Sequence, residues 1–181
     1  MSKLVFILLA LTMVLASCKK NSSSDSASKV LISEACQLVS TSEAAAITGE
    51  SYSITETKEN TTIGTKTCDF SNSDNGLFQI VLTQTAAING AGLKTAKEFY
   101  ESMKTNFPDH EMITGIGDEA FIDNTNGFLY ILYTNDYYIN ISIMQKGIFT
   151  DPGRWTVAQK KSKKITAGAK AITNLKNLIT K

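Results

Sequence analysis

Residues 120–145 read AFIDNTNGFLYILYTNDYYINISIMQ, and their alternation decides the fold class. Tyr137, Ile139, Ile141 and Ile143 alternate with Tyr138, Asn140, Ser142 and Met144, the period of two that gives a strand one apolar face. Asn135-Asp136 turns the chain between residues 128–134 and this strand, and Asp123-Asn-Thr-Asn126-Gly127 turns it one strand earlier. Turns this short join antiparallel neighbours, so the stretch predicts a meander.

Further upstream, residues 69–84 (DFSNSDNGLFQIVLTQ) predict a second hairpin around Asn75-Gly76, with Phe78, Ile80 and Leu82 on one face of its return strand. This stretch aligns without gaps on residues 120–135. Phe70 meets Phe121, Asn75-Gly76 meets Asn126-Gly127, Ile80 meets Ile131 and Thr83 meets Thr134. At the same offset a helix starting near Glu43 meets one starting near Lys94, so two half-repeats are readable. Ser40 and Glu43 form a capping-box pattern before a short helix over 41–48, with Gly49 as its stop and Leu38 and Ile47 turned inward. Residues 51–56 alternate like a strand, while the polar 58–66 predict a loop. Ala96, Phe99, Tyr100, Met103 and Phe107 recur at helical spacing over 94–107, and Pro108 ends the run. A loop follows, leading to a strand that ends at Ile122. Beyond the meander, Asp151-Pro152-Gly153 predicts a turn, and residues 155–179 a closing helix with Ile165, Ala169, Ile172, Leu175 and Ile179 in register. Long meanders with separate helices predict an α+β fold: an antiparallel sheet with the helices packed on one face, including a long C-terminal helix.

The 181 residues carry 18 Lys and Arg against 17 Asp and Glu, a formal net charge of +1, with only Lys3 in the first seventeen. That balance predicts no nucleic-acid partner, which calls for a strongly basic domain. The chain opens on Lys3, an apolar run over 4–15 interrupted by Thr12, and then Leu15-Ala16-Ser17-Cys18. The run is shorter than the ~20 residues of a membrane span, and its layout is that of a secretory signal peptide.

Leu-Ala-Ser-Cys resembles the lipobox of bacterial lipoproteins. The resemblance implies cleavage after Ser17 and a diacylglycerol thioether on Cys18, whose new N-terminus is acylated in turn. Two or three chains anchor durably, where one is marginal. The expected organisation is a signal peptide over 1–17, lipidated Cys18 with a Ser-rich tether over 18–29, and one α+β domain over 30–181. The nine residues 21–29 (NSSSDSASK) are flexible coil reaching ~15–18 Å on average. Lys19 in place of Asp after the lipidated Cys implies release to the outer membrane in some sorting systems. With Cys18 lipidated, Cys36 and Cys68 remain as one pair in an oxidising compartment, and a disulfide between them is the simple expectation.

The layout Cys36-x-Leu38, Glu43-Ala-Ala, Gly49, Cys68-x-Phe70 and Gly115-Ile-Gly117-Asp-Glu-Ala is similar to that of small bacterial envelope lipoproteins and secreted domains of uncharacterised function. The resemblance implies a Mog1/PsbP-like or related α+β sandwich and supplies no catalytic residue. The half-repeat points instead to the tandem layout of inhibitor-type modules.

Chemistry is sparse in the rest of the chain. His110, the one histidine, follows Pro108 with no Gly-x-Ser-x-Gly elbow anywhere, so it reads as an exposed loop residue. Asp109, Glu111, Asp118 and Glu119 make a loose acidic group without EF-hand spacing, and residues 123–127 fit turn chemistry better than calcium binding. Gly115-Ile-Gly117-Asp lacks the third glycine of a dinucleotide fingerprint. No catalytic, cofactor-binding or metal residue is assigned. Lys160, Lys161, Lys163 and Lys164 make the last helix basic, which suits either anionic head groups or a solvated face. Tyr130, Tyr133, Tyr137 and Tyr138 suggest an aromatic contact surface on the sheet. The expectation is a non-catalytic, membrane-anchored binding module with a protein or small-ligand partner on the sheet face. A periplasmic hydrolase with a non-motif site is the alternative.

Overall fold

A computed structural model describes residues 30–73, 76–145 and 155–180. The expected signal peptide, Cys18, the tether, Asn75 and the turn at 151–153 lie outside the described residues. The elements run α1 (Thr41–Thr48), β1 (Ile54–Asn60), β2 (Thr65–Ser71), β3 (Leu77–Gln84), α2 (Ala96–Asn106), β4 (His110–Ile113), β5 (Glu119–Asp123), β6 (Leu129–Tyr133), β7 (Tyr137–Met144) and α3 (Val157–Ile179), with a short 3-10 turn at Ala35–Gln37. The strands form one antiparallel sheet in the order β1-β2-β3-β7-β6-β5-β4. The α+β class and the long last helix agree with the alternation in the sequence.

The placement of the helices does not. Ile139, Ile141 and Ile143 of β7 lie in one core with Ala44 of α1 and Ala167, Ala171, Ile172 and Leu175 of α3. Tyr138 of the same strand lies in a second core with Phe121, Tyr130, Leu132 and, from α2, Ala96 and Tyr100. So α1 and α3 cover one face and α2 the other, and the sheet is the middle layer of three. Residues 128–133 (FLYILY) already carry large apolar groups at odd and even positions, as a strand buried on both faces must.

Two further differences lie at the sheet edges. Residues 58–66, read as a loop, hold the end of β1 and the start of β2. The first residues of β1, 54–56, fall in the stretch that alternates like a strand; every residue of β1 is exposed, and its polar end, read as loop, is made a strand by backbone pairing to β2. β4 is a four-residue edge (HEMI) too short to show a period, paired to β5, where the sequence predicts only a loop.

The half-repeats become two α-β-β-β units flanking β7. Both β3 and β6 run antiparallel to β7, so they are parallel to each other, and the unit order outward is the same on either side. The rotation that relates such halves runs along β7 and exchanges the faces of the sheet. It carries α1 to one face and α2 to the other, and sends Phe70 to the first core and its counterpart Phe121 to the second. The gapless alignment fails within the hairpins. Ser71 faces Leu77 across residues 72–76, whereas Ile122 faces Leu129 across 123–128, one residue more. Ile80 and Ile131 therefore share a face instead of exchanging it.

Capping boxes start α1, α2 and α3, at Ser40/Glu43, Thr95/Glu98 and Thr156/Gln159. Gly168 brings α3 close to β6, since a Cβ there would stand 2.7 Å from Leu129 Cδ2 and 2.9 Å from Ile131 Cδ1. Glu43 ties α1 to α3: it holds the Ser40 amide at 2.8 Å and accepts from Lys170 Nζ at 2.8 Å and Asn174 Nδ2 at 3.3 Å. Partial burial alone would raise the Glu43 carboxyl, but the Lys170 ammonium, Ser40 and Asn174 outweigh it and hold the pKa down at about 2, against an ordinary 4.5. The Cys36–Cys68 disulfide fixes the 3-10 turn to β2 across a Cα–Cα distance of 5.2 Å.

Two outcomes follow. A pKa lowered by folding stabilises above the unfolded value, so the Glu43 contribution is present above pH 4.5 and lost as the pH falls through about 2. Glu43→Gln should cost about 1–2 kcal/mol at pH 7, once solvent screening of a side chain 28 % exposed is included, and almost nothing near pH 2. Urea titrations at both pH values measure it. Opening the 32-residue separation of the disulfide by Cys36→Ser with Cys68→Ser should lower unfolding free energy by roughly 3–4 kcal/mol in the same assay.

Candidate functional site

The tyrosine surface expected on the sheet is closed. Tyr130 and Tyr138 are 3 % and 6 % exposed under α2, and Tyr137 is buried in the first core with its hydroxyl donating to Val30 O at 2.8 Å. Phe121 stacks on Tyr130 at 4.6 Å and Tyr130 on Tyr138 at 6.3 Å. Burial, with the Asp123 charge beside it, pushes the Tyr130 phenol up to about 12, and burial raises Tyr138 further still. These tyrosines hold α2 down. The half of that face which α2 leaves uncovered, over β1 to β3, is polar. There Lys58 pairs with Asp69 at 3.2 Å and Glu56 at 3.5 Å, and Gln79 donates to Asp69 at 2.8 Å.

The acidic group of the sequence is dispersed. Asp109 accepts from Asn124 Nδ2 at 2.7 Å, Glu111 pairs with Lys161, Asp118 accepts from Thr134 N at 2.6 Å, and Glu119 pairs with Lys104 at 3.1 Å. Among the described residues no three His, Cys, Asp or Glu side chains converge as metal ligands would. His110 begins β4. Its Nδ1 lies 2.7 Å from Phe107 O and its ring 4.9 Å from that of Phe121.

The basic run of the last helix is where chemistry gathers. Its lysines point two ways. Lys163 reaches Ile47 O at the end of α1 (2.9 Å) and lies over the Trp155 ring at 4.8 Å. Lys160, Lys161 and Lys164 instead line a cleft of about 370 Å³ between α3 and the β5–β6 turn, with Glu111, Ile122, residues 123–127 and Val157. The run is thus neither a continuous head-group patch nor a freely solvated face.

Turn chemistry builds the far wall. The Asp123 carboxylate accepts from Thr125 N at 2.8 Å and Asn126 N at 3.0 Å, as an Asx turn does, so both its oxygens are engaged. Asn124 N bonds Asp109 O at 3.0 Å, pinning the turn to the link before β4. Gly127 takes φ +69°, a left-handed conformation, and a Cβ on it would stand 3.1 Å from Lys164 Nζ. Lys164 is 6 % exposed and donates to Gly127 O. Burial chiefly, and then the neighbouring Lys160 charge, lower its pKa, while Asp123 works the other way. Lys161 is held by Glu111 at 2.6 Å. Lys160 is half-buried; its backbone N–H donates to Thr156 O at 3.0 Å, but its ammonium makes no hydrogen bond or ion pair among the described residues. The cleft is therefore a cationic recess with a rigid polar wall, suited to holding a polar ligand by charge and hydrogen bonds.

Sequence reasoning saw the lysines and the turn separately. Nothing in the primary pattern says that Lys164 meets Gly127, 37 residues away. No protein-family model, no curated protein and no solved structure matches the chain.

Gly127→Ala should strain the turn by about 1–2 kcal/mol and displace the Lys164 ammonium. Amine-reactive footprinting with mass mapping should find Lys164 protected relative to Lys160 in the parent chain, and that protection reduced in the variant.

Proposed function

We propose that this chain is a lipid-anchored protein of the bacterial cell envelope whose domain works as a non-catalytic binding module, with the α3 cleft as its recess. The observation that carries the reading is the polarity of the domain. The chain enters at Val30, held by the Tyr137 hydroxyl, and Ile32 is gripped on both its N–H and C=O by the Gln84 side chain at 2.7 and 2.9 Å. Both contacts sit where β7 begins and β3 ends. The cleft lies at the opposite end of the strands, beside the β5–β6 turn and the start of α3. Eight residues of β7 separate the two ends by about 24 Å at ~3.4 Å per residue.

A tether joining Cys18 to Val30 would hold the entry end toward the bilayer and turn the recess away from it. That favours a ligand approaching from the aqueous side over the head groups of the anchoring leaflet. His110, fastened to the Phe107 carbonyl, favours binding over hydrolysis. The lipobox supports the anchor, and Lys19 after it supports the outer membrane. A protein partner, in this reading, meets the uncovered polar half of the sheet.

Cys18→Ala should move the protein from the membrane fraction to the soluble fraction and abolish incorporation of labelled palmitate. Continued membrane fractionation of the variant would sink the anchor.

A further inference from the structure

The cleft has a charge pattern that selects its ligand. Lys160, Lys161 and Lys164 bring three positive charges, Asp123 and Glu111 two negative ones, and the recess is left with one uncompensated cation. Glu111 is spent on Lys161, and Asp123 on two backbone amides. Lys164 donates one hydrogen bond, to Gly127 O, out of the three an ammonium can donate. Lys160 stands one helical turn away with none, and like charges at that spacing repel. A single negative charge between these two ammoniums would relieve the repulsion and bring the recess to neutrality. A dianion would overshoot, facing Asp123 and Glu111 as well.

The rest of the lining suits a hydroxylated ring. Thr125 and Asn126 are exposed on the turn that forms the wall, offering a hydroxyl and an amide. Val157, in the first turn of α3, is 84 % exposed at the rim, and Ile122 lies on the wall. An apolar side chain left in water beside a polar cleft matches the C–H face of a sugar, which is itself apolar on one side and polar at its edge.

Resting on the binding-module reading, we infer that the cleft takes an acidic sugar, its carboxylate received by Lys160 and Lys164, its hydroxyls by the 124–126 turn and its C–H face by Val157. The probe is D-glucuronate, titrated calorimetrically at low salt into the purified full chain in detergent, with D-glucose and glucose-1-phosphate as comparisons. Glucuronate should give saturable binding that exceeds that of both comparisons. Lys160→Gln should weaken it about tenfold, the loss of one charge-assisted contact, and Val157→Ser should weaken it without changing its salt dependence. No saturable binding of glucuronate, unchanged affinity in Lys160→Gln, or tighter binding of the phosphate would each overturn the assignment. Tighter phosphate binding that Lys160→Gln removes would do so while leaving the binding module in place. The anchor is answered separately by Cys18→Ala.

Discussion

The fold depends on β7 being buried on both sides. Seven of its eight residues are buried, so the strand needs a cover on each face and a neighbour on each edge. Both neighbours run antiparallel to it, and this places the two three-stranded units back to front about its axis. Each unit then brings its leading helix to a different face. α3, after all the strands, completes the layer that α1 covers only in part, through Gly168 against β6 and the Glu43–Lys170–Asn174 contacts against α1. A sheet covered by helices on one side only would leave Tyr130, Tyr138 and Phe121 in water.

What could be read from the sequence follows from where burial writes a pattern. α1, the two central hairpins and α3 were legible because capping residues, Asn-Gly turns and apolar periods mark them. β1 was legible only at its start, where 54–56 fall in the alternating stretch, because its polar end carries no apolar period; β4 was missed because four residues (HEMI) are too few to show one, and its pairing to β5 makes it a strand. The error over the helix faces has the same root. Ile139, Ile141 and Ile143 declare one apolar face, and Tyr138 with Asn140 and Ser142 resembles a wet one, although all three are buried. The repeat was visible through the turns, yet the extra residue in the second hairpin changed which face its strand presents.

The candidate site was legible only in parts. The lysines of α3 announced a charge, and residues 123–127 announced a turn, but their juxtaposition depends on how α3 lies across the sheet. A buried ammonium is a tertiary fact: Lys164 lies on the same side of α3 as Lys160, one turn further along, and is buried because that turn meets Gly127. The acidic residues show the converse. Close in sequence, they were dispersed by the strands to four separate partners, Asn124, Lys161, the Thr134 amide and Lys104.

The order of the elements along the chain carries a consequence of its own. The core that starts at Ile32 is not closed until Ala167, Ala171 and Leu175 reach it, so the first and last described elements of the domain share one interior. During synthesis or passage through a narrow channel, the emerging strands lack the layer that α3 supplies. The disulfide joins residues that emerge early, and the ends of the sheet can pair before that layer arrives, but the interior stays open to water. Vectorial delivery of this chain would therefore separate strand pairing from final closure, with the last helix acting as the step that commits the whole to its native packing.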